Sequence, residues 1–266
     1  MLGDLHDRRG RGRPDLTQVA PQIQFHNLIG AERCRRAERY CWQARCAAGR
    51  KGAVQSAYPS HDINTLSNTI DYYHFLVSPW SYLAIDRFND MVSSHGAEVR
   101  YKPIAPMATF NNMGGQPLPK RHPSRLLHRM TELKRWSAHL DVPMNFEPAH
   151  FPVDPSLASR MVLAAGNAGQ SAATLSDAVL CAVWRDEKNI TDRETLLALA
   201  TSCGLDGEAL LAEAESDSLA EQYNAVTREA HDADVFGSPT WVVNGENLSL
   251  IHISEPTRLE SKSRMP

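Results

Sequence analysis

Residues 69–104 follow the pattern strand, helix, strand, which constrains the fold more than any other part of the chain. Residues 69–77 (TIDYYHFLV) are rich in aromatic and β-branched side chains, as is typical of a buried strand. Apolar residues then recur at helical spacing from Trp80 to about Ser94, and residues 97–104 alternate like a second strand. The pattern predicts a βαβ unit with parallel strands at the start of an α/β fold.

Ser78 and Pro79 lie at the junction between the first strand and its helix. Serine is a preferred N-cap residue and proline a preferred first residue, so the pair predicts a helix that begins at Pro79. A helix N-terminus carries positive partial charge, which can stabilise a bound thiolate. Taken by itself, a serine before a proline at a helix start is usually only a cap.

A helical block follows, and the chain then returns to β structure. Residues 107–123 are rich in Gly, Pro and Asn and predict a loop. Helical signals recur over residues 124–140, 154–165, 172–187, 193–203 and 207–230. Residues 235–243 (VFGSPTWVV) predict a strand, and Asn244-Gly245 predicts the turn of a hairpin after it. The predicted fold is α/β with a helical insertion.

Composition weighs against several classes of protein. The 28 basic and 31 acidic side chains leave a net charge of −3, which gives no whole-chain electrostatic case for nucleic acid. No apolar run of roughly 18 residues is present, which argues against a membrane span. Five cysteines without a CxxC pair argue against a disulfide framework or a dithiol redox site. We expect a cytoplasmic protein without a metal site and without nucleic-acid or membrane partners.

The first quarter of the chain differs in composition from the rest. Residues 1–66 carry ten arginines, one lysine and six acids, together with Cys34, Cys41 and Cys46. A basic arm and an organelle transit peptide are two interpretations, but the acids and cysteines weigh against the second. The favoured interpretation is a disordered extension, or upstream sequence translated from a misplaced start codon.

The C-terminal residues 248–266 (LSLIHISEPTRLESKSRMP) are also unusual. The segment Leu248 to Arg258 resembles the in-frame translation of a common transposase sequencing adapter, which is a laboratory sequence. We therefore expect residues 248–266 to be artefactual and the domain at 67–247 to be C-terminally truncated. The alternative is a natural short strand, LSLIHI, followed by a polar tail.

Three motifs in a fixed order carry a family resemblance: SPWSYL at 78–83, PVDP at 152–155 and VFGSPTWVVNGE at 235–246. Together they resemble the DsbA branch of the thioredoxin-like superfamily. Within it the chain is similar to 2-hydroxychromene-2-carboxylate isomerases and their relatives, the kappa-class glutathione transferases. The resemblance covers roughly residues 68–247 and implies a thioredoxin-like fold with a helical insertion at about 107–231.

The resemblance implies a glutathione site. Ser78 would stand where redox members have a nucleophilic cysteine, donating a hydrogen bond that keeps the glutathione sulfur as thiolate. Ser238 would pair its backbone with the cysteinyl backbone of glutathione, and Pro239 would be a cis proline. Because positions 78 and 81 are both serine, dithiol chemistry is excluded.

The implied reaction is the cis–trans isomerisation of 2-hydroxychromene-2-carboxylate to trans-o-hydroxybenzylidenepyruvate in naphthalene-type degradation. Glutathione thiolate adds to the conjugated ring-opened form, the former double bond rotates, and the thiolate departs unchanged. A small carboxylated aromatic substrate needs a cation, from Lys120, Arg121 or Lys102, and a hydrogen bond, from Asn111 or Asn112. Each of these residues has the alternative role of a solvated side chain.

Two other functions stay open: a kappa-like glutathione transferase or peroxidase acting on electrophiles, and a non-catalytic thioredoxin-like module. Family members continue after VNGE with a Trp-Gly-x-Asp-Arg segment that holds the γ-glutamyl end of glutathione, where this chain has the adapter-like tail. The resemblance is compatible with a homodimer. We expect His74 to be a core or site-wall residue rather than a base.

Overall fold

The structure is a computed structural model, and it describes residues 69–250. Within this range four strands form one sheet in the order β2-β1-β3-β4. Their bounds are β1 Thr69–His74, β2 Glu98–Pro103, β3 Thr240–Val243 and β4 Glu246–Ser249. The predicted N-terminal extension at 1–66 and residues 251–266 of the predicted artefactual tail lie outside the described residues.

Eight α-helices accompany the sheet in the described part of the chain. They are α1 Pro79–His95, α2 Pro106–Asn112, α3 Pro123–Leu140, α4 Ser156–Asn167, α5 Ala172–Trp184, α6 Arg193–Ser202, α7 Gly207–Ala214 and α8 Asp217–Asp232. Helix α1 connects the parallel strands β1 and β2, and the other seven helices lie between β2 and β3 in sequence. The predicted βαβ start and helical insertion are confirmed.

The junction between β1 and α1 follows its local sequence. The predicted first strand is three residues too long, because a turn in which the Ser78 N–H donates to the Phe75 carbonyl at 2.9 Å ends it at His74. Helix α1 then begins at Pro79 with Ser78 as its N-cap, as predicted, and ends at Gly96 in the left-handed conformation (φ 59°). The turn thus places Ser78 at the start of the helix.

The helical block departs from the sequence prediction in three places. The predicted loop at 107–123 contains most of α2, and the predicted helix at 207–230 is two helices, because Ser216 caps a new one. Helix α4 begins at Ser156, two residues later than predicted, and the Asp154 side chain accepts the Ser156 N–H at 3.0 Å just before it. On α3 the apolar side chains are buried to different extents, since Leu127 is 70% exposed and Leu133 is fully buried.

Two of the three apolar clusters among the described residues show how the core is built. The larger one lies within the helical block around Met161, Leu180 and Trp184, all of them fully or almost fully buried. The other lies on one face of the sheet, where the rings of Tyr72 and Trp241 stack with their centroids 5.4 Å apart. Burial of these large side chains supplies most of the driving force for folding.

The β3–β4 hairpin closes the described part of the sheet. Its strands pair antiparallel, with Val243 opposite Glu246. Asn244 (φ 51°) and Gly245 (φ 81°) both have positive φ, as the turn between right-twisted strands requires, and the predicted hairpin is confirmed. No helix among residues 69–250 is long and apolar enough to cross a membrane.

We predict that Gly245→Ala lowers the free energy of unfolding by about 1–2 kcal/mol, because an L side chain is disfavoured at positive φ. The matched control is Gly237→Ala, because Gly237 does not have positive φ and its added Cβ would meet nothing within 4 Å. Urea denaturation of both variants measures the difference. Equal stabilities would contradict the conformation assigned to the turn.

Candidate functional site

Ser78 connects the first turn of α1 to the loop that precedes β3. The residue is only 6% exposed. Its Oγ accepts a hydrogen bond from the Ser81 N–H at 3.3 Å, and its hydroxyl donates to the Ser238 carbonyl at 3.3 Å. Both contacts are long for bonds of their type, so the hydroxyl can change partner at small cost.

Ser238 completes what we call the serine cluster (Ser78, Ser81 and Ser238). Its Oγ accepts the Phe75 N–H at 2.8 Å and lies 2.8 Å from the Ser81 Oγ. The Ser238–Pro239 peptide is cis, as the resemblance implies, and Pro239 is buried. Within residues 69–250 the Ser238 N–H has no hydrogen-bond partner. The loop before β3 is thus fixed by a side chain, while one of its amides stays available.

His74 is a core residue, as predicted. Its side chain is fully buried and stacks on the Tyr72 ring at 4.2 Å. The Tyr72 carbonyl, 3.2 Å from Nδ1, can only accept, so Nδ1 donates and Nε2 accepts from the Ser176 hydroxyl at 2.8 Å. Burial lowers the pKa of His74 to about 4, which keeps the ring neutral.

Arg121 is the predicted substrate-binding residue that lines a cleft. Its Nε donates to the Gln116 carbonyl at 2.7 Å, and its guanidinium lies 5.9 Å from the Phe110 ring centroid. Phe110 in turn packs edge-on against Phe75, the residue whose amide binds Ser238. Gly115 permits this packing, because a Cβ there would lie 2.6 Å from a Phe110 ring atom. A chain of contacts therefore links Arg121 to the serine cluster.

The other predicted cations and amides do not line this cleft. Asn111, Asn112 and Lys120 are exposed, and the Asn112 amide lies 3.2 Å from the His231 Nδ1. Lys102 instead forms ion pairs with Asp71 at 3.2 Å and with Glu229 at 2.6 Å. Arg121 is therefore the member of the predicted set that the structure brings to this cleft.

The cleft has a volume of about 470 Å³ and lies between the start of α1 and the first turns of α3. We call it the arginine cleft, and its lining is Trp80, Arg121, Ser124, Arg125, His128, Arg129 and Glu132. The sequence prediction missed Trp80, Arg125 and Arg129. Arg125 and Arg129 are four residues apart, a spacing that places their side chains on one side of α3, and this signal could have found these two arginines.

No cysteine in the described part of the chain takes part in the hydrogen bonds of the serine cluster. Cys181 belongs to α5 and Cys203 follows α6, and both are free and partly exposed. Burial raises the pKa of the Cys181 thiol, which keeps it protonated. No group of three or more His, Cys, Asp or Glu side chains within residues 69–250 is arranged to hold a metal ion.

Comparison with known proteins gives a consistent result. The model of the DSBA-like thioredoxin domain matches residues 69–260. The 2-hydroxychromene-2-carboxylate isomerase of Sphingobium xenophagum is 26% identical over 182 residues, which cover 68% of this chain and 91% of the relative. Glutathione S-transferase kappa 1 of Caenorhabditis elegans is 34% identical over 80 residues, or 30% of this chain and 35% of that protein.

A solved structure of a 2-hydroxychromene-2-carboxylate isomerase is similar in fold. Its TM-score is 0.57 at 25% sequence identity, and the similarity covers 68% of this chain and 87% of that one. The resemblance read from the three sequence motifs is therefore confirmed.

We predict that the His74 titration makes stability rise with pH. The folded pKa of about 4 lies below the ordinary 6.5, so between these values the unfolded chain binds a proton that the folded chain does not. Stability is therefore lost as pH falls, by about 2 kcal/mol at pH 5 for this residue alone. Urea denaturation at a series of pH values should give a smaller pH slope for His74→Phe than for the parent chain.

We predict the opposite sign for Asp177 on α5, whose carboxylate accepts from the Asn89 amide at 2.8 Å. Burial raises the pKa of Asp177 to about 6, so its contribution is present at low pH and lost as pH rises through that value. Asp177→Asn should therefore steepen the rise of stability with pH. A variant slope that moves in the other direction would contradict the assignment.

Proposed function

The chain belongs to the DsbA-like thioredoxin family, and from this premise we propose that it is a glutathione-dependent isomerase of the 2-hydroxychromene-2-carboxylate type. The product would be trans-o-hydroxybenzylidenepyruvate. One observation carries the proposal: the Ser78 hydroxyl caps α1 beside the cis Ser238–Pro239 peptide, with serine and not cysteine at 78 and 81. The relative from S. xenophagum and the similar solved structure, both named as this isomerase, support it.

The serine cluster suits a thiolate sulfur. The N-terminus of α1 carries positive partial charge, and the nearly buried position of Ser78 weakens competition from water. The Ser78 hydroxyl would turn from the Ser238 carbonyl to the sulfur while its Oγ still accepts the Ser81 N–H. When bound, glutathione would supply a thiolate that adds reversibly to the conjugated double bond of the substrate, which allows this bond to rotate.

Ser238 would hold the peptide part of glutathione. Once the Ser78 hydroxyl has turned, the Ser238 carbonyl can accept from a peptide N–H, and its own N–H can donate to a peptide carbonyl. Pro239 has no N–H, so it would not compete with Ser78 for the sulfur. The Ser238 side chain, bonded to Phe75 and Ser81, would keep the loop in place throughout.

Arg121 is the side chain that we propose as a cation for the substrate carboxylate, because it lines the arginine cleft with Trp80. Trp80 follows Ser78 by two residues, so the cleft opens beside the first turn of α1. Lys120, Asn111 and Asn112 stay predictions from sequence, as do a cytoplasmic location and a homodimer.

A kappa-like glutathione transferase is the second candidate. The observation that favours it is the 34% identity to a kappa-class transferase over 80 residues. A transferase joins glutathione to an electrophile and consumes it, whereas the isomerase regenerates it. The two candidates share the thiolate site and differ in the fate of the sulfur.

We predict that Ser78→Ala lowers kcat/KM by about tenfold to a hundredfold, because a charge-assisted hydrogen bond to sulfur is lost. The variant should also raise the pKa of bound glutathione, measured by the ultraviolet absorbance of the thiolate. The control is Ser216→Ala, which removes the N-cap of α8 and costs similar stability of about 1 kcal/mol. Turnover of Ser78→Ala within about twofold of the parent chain would overturn the role of Ser78.

We predict that glutathione is required but not consumed. The chain is assayed with 2-hydroxychromene-2-carboxylate at saturating glutathione, and free thiol is titrated before and after complete conversion. Unchanged thiol with product formed supports the isomerase. Thiol loss matching substrate loss would support the transferase, and no turnover at saturating glutathione would support a non-catalytic module.

A further inference from the structure

The arginine cleft holds positive charge that the described residues do not balance. Within residues 69–250, Arg121, Arg125 and Arg129 make no ion pair. Glu132 lines the same cleft, but its carboxylate is bound by Arg135 at 2.6 Å. The one acid of the lining is therefore already paired with Arg135, and none of the three cleft arginines has an ion-pair partner in the described part of the chain.

Arg129 is the cleft arginine whose charge is most disfavoured by its surroundings. Its side chain is half-buried, and its guanidinium lies 6.0 Å from the centroid of the Phe151 ring. Burial lowers the pKa of Arg129, and the positive charge of Arg121 lowers it further. An anion placed between Arg121 and Arg129 would relieve this repulsion and accept hydrogen bonds from both groups.

Trp80 adds a flat apolar wall. One part of its side chain packs against the large apolar cluster of the helical block, and another part lines the cleft. An aromatic ring can stack on the indole, and the guanidinium groups can bind a carboxylate attached to that ring. The volume of about 470 Å³ lies in the range of pockets that take small ligands.

We propose that the arginine cleft binds the carboxylate of a small aromatic acid, with Arg121 and Arg129 on the carboxylate and Trp80 on the ring. The inference rests on the proposed function, because it assigns the substrate's carboxylate to this cleft beside Ser78. It adds Arg129 as the residue that selects acids over neutral aromatics. Arg125, one turn before Arg129, supplies further positive charge at the mouth.

Glutathione is a second source of the same chemistry, since it also carries carboxylates. The experiment separates the two sources by measuring each ligand alone. Isothermal titration calorimetry follows the binding of trans-2-hydroxycinnamate, of its neutral amide, and of glutathione to the full chain. No reaction takes place in these titrations, so their outcome does not depend on turnover.

We predict that Arg129→Gln weakens trans-2-hydroxycinnamate binding about tenfold or more, because a bidentate charged partner is lost. The amide should bind the parent chain weakly and be unaffected. The matched control is Arg228→Gln, which removes an exposed arginine of α8 paired with Glu221 and should change nothing. Thermal melting of each variant verifies the fold, and Arg125→Gln, expected to weaken binding less, provides a second variant.

A substitution of opposite sign sharpens the test. Glu132→Gln removes the one negative charge of the cleft lining and releases Arg135, so it should tighten binding of the acid by about twofold to fivefold.

Weaker binding of hydroxycinnamate to Arg129→Gln supports the proposal. If Arg129→Gln weakens the binding of glutathione alone, the assignment to the aromatic acid is overturned and the cleft is a glutathione site. Unchanged binding of both ligands, or equal binding of acid and amide to the parent chain, overturns the site altogether. Failure of the isomerase assay with intact acid binding would instead count against the proposed function.

Discussion

Hydrogen bonds among three serines determine where the candidate site lies. Ser78 caps a helix near the start of the fold, and Ser238 lies 160 residues later, yet their atoms are in direct contact. The Ser238 hydroxyl also accepts a hydrogen bond from the Phe75 amide, so the loop before β3 is fixed to the end of β1. These contacts act together with the β1–β3 pairing, which places Thr240 opposite Tyr73, to set the mutual position of the helix start and the cis-proline loop.

Neutral, buried polar groups extend this arrangement into the helical block. His74 ends β1 directly before the turn that leads to Ser78, and its ring binds Ser176 of α5. A charged imidazole at this position would lack a counter-ion among its contacts, which is why burial holds it neutral. The guanidinium groups of the arginine cleft lie apart from this neutral network, on α3 and the loop that precedes it.

Local chemistry decided which features could be predicted from sequence. Ser78-Pro79 and Asn244-Gly245 were readable because a cap and a tight turn depend on adjacent residues. The exposure of Leu127 could not be predicted, because helical periodicity identifies an apolar face but not the element that covers it. The inward bonds of Ser238 and the convergence of Arg121 with Arg129 arise from tertiary packing, so the sequence pattern contained only their spacing.

The position of β1 in the sheet has a consequence for synthesis on the ribosome. One edge of β1 pairs with β2, which follows within about thirty residues, but the other pairs with β3, where Tyr73 faces Thr240. At ordinary elongation rates of about 5–20 residues per second, that second edge waits on the order of ten to thirty seconds for its partner. During this interval an unpaired aromatic strand is available to chaperones and to neighbouring nascent chains. Pairing of β3 thus completes the site and covers the open edge of β1 in the same event.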